Sequence, residues 1–212
     1  MINNVIVGKK AAILIETGFC ERELLQAQKS LSDIGVDCRL VSTEEYLVKG
    51  WNEVKGSSSS SSSTSSWGGD YAPDATLDKY VASEYDILVI PGGLRSIAKL
   101  KLQDGVKPFV SGFIQSEKPV IAYNQAVELL SFLGMIDGYS IAANSAVCDS
   151  VKVNGGRCTS SDFIVSKNLI TLSRFSDADV KLKRAVLSVL NGERYIEKEV
   201  SSDNMPYASK VA

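Results

Sequence analysis

Three short stretches of this sequence hold residue types that can do chemistry. In Glu16-Thr17-Gly18-Phe19-Cys20-Glu21-Arg22-Glu23 a thiol sits among carboxylates, a candidate nucleophile beside candidate proton acceptors. The run Tyr85-Asp86-Ile87-Leu88-Val89-Ile90 ends in Pro91-Gly92-Gly93, whose N–H groups can hold a carbonyl oxygen or an anion. In Val120-Ile121-Ala122-Tyr123-Asn124-Gln125-Ala126 an apolar run stops abruptly and helical spacing resumes, the kind of turn on which α/β enzymes present a nucleophile. Asn124 is no nucleophile. The chain also contains no histidine. That excludes Ser-His and Cys-His couples, imidazole-ligated metals and any side chain with an unperturbed pKa near neutrality.

Each of these residues also has a plain structural use. A carboxylate neighbour raises a thiol pKa above its reference of about 8.5, so Cys20 reads first as a small packing residue and second as a reactive thiol with Glu23 or Glu21 nearby. Glu23 is either a pocket acid or an ordinary first-turn carboxylate favoured by the helix dipole. Asn is among the few residues that tolerate positive φ, so Asn124 can keep the backbone shape of an elbow. Asn124 and Gln125 either hydrogen-bond a ligand or satisfy local backbone groups, the commoner fate of such amides in turns.

The elements that position these stretches alternate. Residues 11–16 form a uniformly apolar strand, residues 21–33 a helix and residues 38–42 a second strand, a β-α-β unit. Residues 56–70 are a serine-rich, low-complexity tract expected to be a flexible loop inserted in the domain. Residues 73–82 are expected to form a helix, 85–90 a buried strand, 106–116 a helix, 120–123 a strand and 125–133 a helix. Residues 139–172 read as short strands, with a turn at Asn154-Gly155 and a hairpin pairing 163–165 with 169–171. Residues 177–190 form the last helix, and a polar tail follows from about 193. The sum is a mostly parallel α/β sheet, which binds ligands at the carboxyl ends of its strands.

Composition narrows the function. A chain of 212 residues with 44% hydrophobic and 23% charged residues has globular proportions, and a net charge of −2 without a basic patch argues against a nucleic-acid partner. No apolar stretch approaches the ~20 residues of a membrane span, and the N-terminal pattern does not read as a signal peptide, so the expected address is the cytoplasm. Cys20, Cys38, Cys148 and Cys158 lack close pairing or metal-ligand spacing, so reduced thiols are expected, with Cys148 and Cys158 half-buried in late strands. Trp51, Trp67 and Tyr71 flank the serine tract and either cover a pocket or anchor a loop.

The segment 11–24, the run ending at Pro91-Gly92-Gly93, and Asn168-Leu169-Ile170-Thr171 with the last helix resemble, in that order, the ThiJ/PfpI family of the class I glutamine-amidotransferase-like superfamily. The resemblance covers roughly residues 10–192. It implies a flavodoxin-like three-layer sandwich of one domain, residues 1–192, with residues 193–212 as a tail. It further implies a cysteine nucleophile in an elbow usually reading Ala-Ile-Cys-His-Gly, a supporting glutamate and a Pro-Gly-Gly donor loop. Glu23 matches the glutamate, and Gly92 and Gly93 match the loop. Asn124 stands in the place of the cysteine, Gln125 of the histidine and Ala126 of the glycine. The sequence Val127-Glu128-Leu129-Leu130 is similar to that of a noncatalytic relative, the C-terminal domain of large-subunit catalases. The expectation is therefore a noncatalytic binding, structural or regulatory module, self-associating, without cofactor or metal. Its pocket is Glu23, Gly92, Gly93, Asn124 and Gln125. The alternative is a hydrolase or a glyoxalase- or deglycase-like enzyme built on Cys20 and Glu23, and a third possibility is regulation through modification of the serine tract.

Overall fold

The computed structural model describes residues 6–54, 64–77, 81–173 and 179–196. A seven-stranded sheet runs in the order β11 (Phe163–Ser166), β12 (Leu169–Leu172), β8 (Val120–Tyr123), β7 (Ile87–Ile90), β1 (Lys10–Leu14), β3 (Asp37–Ser42), β6 (Ala75–Thr76). Every pairing is parallel except β11 with β12, the expected hairpin. The strands are apolar throughout because both faces are covered. Ala12, Leu14, Leu88, Ile90, Val120 and Ala122 pack under α3 (Val106–Gln115) and α4 (Ala126–Phe132). Ala11, Ile13, Val89, Ile121 and Tyr123 pack under α1 (Glu21–Ser32) and α6 (Asp179–Leu190). The result is a three-layer α/β sandwich. After β3 and β6 the chain returns across β1 to β7, so the topological switch lies between β1 and β7, where ligands of such sheets bind.

Five features depart from the sequence expectations. Within 73–82, Ala75–Thr76 adds a parallel strand to β3 and Val81–Glu84 forms a 3₁₀ turn, residues 78–80 lying outside the described residues. Asp74 accounts for the difference: its carboxylate accepts the Leu40 N–H at 2.7 Å and its own N–H donates to the Leu40 carbonyl at 2.8 Å, which recruits the segment to the sheet edge. Within 139–172, Ser145–Val153 is a helix, α5, between β9 (Ser140–Ala142) and β10 (Arg157–Thr159). Part of the serine tract is ordered as strand: β5 (Thr64–Tyr71) pairs antiparallel with β4 (Val48–Val54), and β4 pairs with β2 (Phe19–Cys20), while residues 56–63 lie outside the described residues. Finally, Cys148 and Cys158 are not free thiols. They form a disulfide with a Cα–Cα distance of 5.5 Å, because the turn through Asn154-Gly155 folds β10 back beside α5. A helix that the sequence pattern does not give, α2 (Leu94–Leu100), follows Gly93 directly.

Candidate functional site

The site forms where β1, β7 and β8 end. Asn124 follows β8 with φ of 42°, the left-handed conformation of an elbow, and its N–H is tied to the Leu172 carbonyl at 2.7 Å. Gly93 follows β7 with φ of 109°. A Cβ there would come within 2.3 Å of the Gly18 carbonyl oxygen, so only glycine lets the two loops meet. Cys20 joins the same junction, its N–H donating to the Gly92 carbonyl at 2.9 Å.

Glu23 is 3% exposed, and its two carboxyl oxygens reach different loops. Oε2 accepts the Gly92 N–H at 2.7 Å, and Oε1 accepts the Asn124 side-chain amide. Gln125 Oε1 accepts the Gly93 N–H at 3.3 Å. The five expected pocket residues are thus brought together. The amides of Asn124 and Gln125 do not bond to local backbone, as turn amides commonly do; they cross the pocket to residues far away in sequence. Both donors of the Gly92-Gly93 loop are consequently occupied from within the chain.

Cys20 lies at the start of α1 as a half-buried, free thiol. Burial, and secondly the Glu23 carboxylate, push its pKa up to about 12. Such a thiol holds its proton at neutral pH and makes a poor nucleophile. Tyr123, next to Asn124, is fully buried, and its hydroxyl has no hydrogen-bond partner among the described residues. Burial, then Glu23 and Asp179, push that phenol well above its ordinary range. No group of three or more Cys, Asp and Glu side chains among the described residues is arranged to hold a metal ion.

The β2-β4-β5 sheet packs between the first turns of α1 and α2, next to the site. On one face Glu21 Oε1 accepts the Gly69 N–H at 2.9 Å and the Tyr71 hydroxyl at 2.6 Å, and Oε2 accepts the Asn52 amide. Gly50 and Gly68 leave the room this carboxylate occupies. The Tyr71 hydrogen bond is the main reason that the Glu21 pKa is lowered, while burial and then Glu21 push Tyr71 up to about 12. On the other face the Arg95 guanidinium stacks 4.0 Å from the Trp51 ring centre and 5.2 Å from that of Trp67. Trp51, Trp67 and Tyr71 therefore anchor the hairpin to the first turns of α1 and α2. Their proximity in sequence to the tract hinted at this; Arg95, Asn52 and the role of Glu21 had no sequence signal.

A parallel α/β sandwich with a nucleophile-type elbow beside its switch point defines a flavodoxin-like class of protein. Residues 9–189 match the DJ-1/PfpI family, and the chain belongs to that family. It is 25% identical over 184 residues to general stress protein 18 of Bacillus subtilis, covering 87% of this chain and 99% of that one. It is 26% identical over 184 residues to protein/nucleic acid deglycase 2 of Escherichia coli, again covering 87% and 99%. The fold matches that of a ThiJ/PfpI domain protein from Brachyspira murdochii with a TM-score of 0.70 at 18% identity, over 89% of this chain and 99% of the other.

Proposed function

We propose that this chain is a noncatalytic member of its family, a single domain over residues 1–192 that binds a small ligand at the elbow pocket without turning it over. The observation that carries this reading is the hydrogen-bond set at the pocket. The residue in the nucleophile's place is an amide bonded to the Glu23 carboxyl, and Gln125 occupies the Gly93 N–H that a substrate oxygen would need. A ligand would enter by replacing the long Gln125 contact, leaving the Glu23 to Gly92 and Asn124 bonds intact.

The second reading, an enzyme acting through Cys20 and Glu23, draws on the deglycase relative and on the position of Cys20 against Gly92. The raised thiol pKa weighs against it. Self-association belongs to the proposal and is supported by exposed apolar side chains, among them Tyr46, Leu47, Leu102 and Phe132. A cytoplasmic address is also proposed. No described helix is long and apolar enough to cross a membrane, and the Cys148–Cys158 pair is the feature that argues for an oxidising compartment instead.

The deciding assay offers the purified full chain a 2-oxoaldehyde, a glycated amine and a peptide substrate, beside Cys20→Ser. The reading expects the same background rate from both proteins. Turnover abolished by Cys20→Ser would replace it with the thiol enzyme.

A further inference from the structure

Arg95 stands two residues past Gly93, in the first turn of α2. Its backbone end packs against the site: a Cβ on Gly18 would come within 2.5 Å of the Arg95 Cβ. Arg95 is an exposed residue, yet its guanidinium sits over Trp51 and close to Trp67, two indoles that themselves meet edge to face at 5.1 Å. Trp51 is register-paired with Cys20, whose N–H donates to the Gly92 carbonyl, so this stack stands beside the elbow site. A stacked guanidinium keeps its N–H edge for planar acceptors and has fewer conformations to lose when one arrives.

No acidic side chain takes that edge among the described residues. Glu21 cannot compete, because successive strand residues point to opposite faces. Gly50 and Gly68 turn their open side to Glu21 while the neighbouring Trp51 and Trp67 turn theirs to Arg95. Glu21 is engaged by Asn52, Gly69 and Tyr71, and Glu23 by Gly92 and Asn124. These two carboxylates with Glu16 also fix the sign of the surroundings. Glu16 in the loop after β1 and Glu21 and Glu23 in the first turn of α1 oppose a dianion more strongly than a monoanion.

We propose that Arg95, braced by Trp51 and Trp67, recognises the carboxylate of a small monoanionic ligand at the mouth of the elbow pocket. The proposal rests on the binding reading above and names the ligand class for that site. The fork of Arg95 takes the two carboxylate oxygens in plane, and the uncharged remainder of the ligand points towards Gly93 and Gln125.

The test is a ¹H–¹⁵N NMR titration of the full chain with N-acetylglycine, which carries a carboxylate and an amide carbonyl. N-acetylglycinamide serves as the neutral control and inorganic phosphate as the dianionic arm. The expected result is a saturable shift of the Arg95 Nε–H and of both indole N–H signals with N-acetylglycine alone. Affinity should fall by about tenfold in Arg95→Gln and by less in Arg95→Lys, which keeps the charge but loses the fork. No saturable shift, an undiminished response of the indoles in Arg95→Gln, or tighter binding of phosphate than of N-acetylglycine would each overturn the proposal. The Gly93 amide reports separately on the pocket. Saturation at Arg95 with Gly93 unmoved supports the carboxylate site and removes the elbow pocket as its continuation.

Discussion

Replacing Asn124 dissects the elbow. In Asn124→Ala the backbone must hold φ of 42° without the amide that donates to Glu23, a carboxyl only 3% exposed. A hydrogen bond to a carboxylate contributes about 1.5–3 kcal/mol. Holding a Cβ-bearing residue in the left-handed region without a local hydrogen bond costs ~1 kcal/mol more. Together these predict a loss of about 2.5–4 kcal/mol, which at about 2–4 °C per kcal/mol for a chain of this size lowers Tm by roughly 5–16 °C. Asn124→Gly removes the hydrogen bond but not the conformational freedom, and should be the milder variant by ~1 kcal/mol. Asn124→Asp keeps the shape and places a second carboxyl against Glu23, so its folded pKa rises above the unfolded value. Stability of that variant is then fully present below the unfolded pKa of about 4 and is lost as pH rises through the folded value. Denaturant unfolding of the three variants across pH measures all of this. An alanine variant within about 0.5 kcal/mol of the parent, or an aspartate variant indifferent to pH, would refute the reasoning.

Three further outcomes follow from the same contacts. Glu21→Ala should release the hairpin, read as faster hydrogen exchange of the Gly69 amide. In the parent protein the clamp holds above the unfolded carboxyl pKa and is lost as pH falls through the lowered folded value, so acid should mimic the variant. Reducing the Cys148–Cys158 disulfide, with a sequence separation of 10, should cost ~3 kcal/mol of stability in denaturant unfolding, and Cys158→Ser should behave like the reduced protein. Tyr123→Phe should raise stability by ~1 kcal/mol, because the hydroxyl is buried without a partner among the described residues.

The sheet was legible from the sequence because uniformly apolar runs such as Ile87-Leu88-Val89-Ile90 have one use, a strand covered on both faces. The positive φ of Asn124 was legible from the residue type at a strand-to-helix turn. The misses share a physical cause, stabilisation from outside the segment. Val147, Val151 and Val153 give α5 a β-branched look, and burial of Val147 and Val151 overrides that propensity. The Ser- and Gly-rich β5 has little strand preference of its own and is held by pairing with β4 and by Glu21. The five pocket residues could be placed at neighbouring strand ends, but the bonds from Asn124 to Glu23 and from Gln125 to Gly93 span the chain. Spacing cannot show them. The stacking of Arg95 on Trp51 and Trp67 is hidden for the same reason.

On the proposed reading, the site keeps an elbow at Asn124 but lacks an ionisable nucleophile. The most direct test of this reading is the alkylation rate of Cys20 against pH, followed by mass spectrometry under native conditions, with Cys20→Ser marking the background. The expected result is slow modification at neutral pH and a rate that keeps rising towards the thiol's raised pKa of about 12. A Cys20 that alkylates rapidly with an apparent pKa below about 8.5 would contradict it and return the site to thiol chemistry.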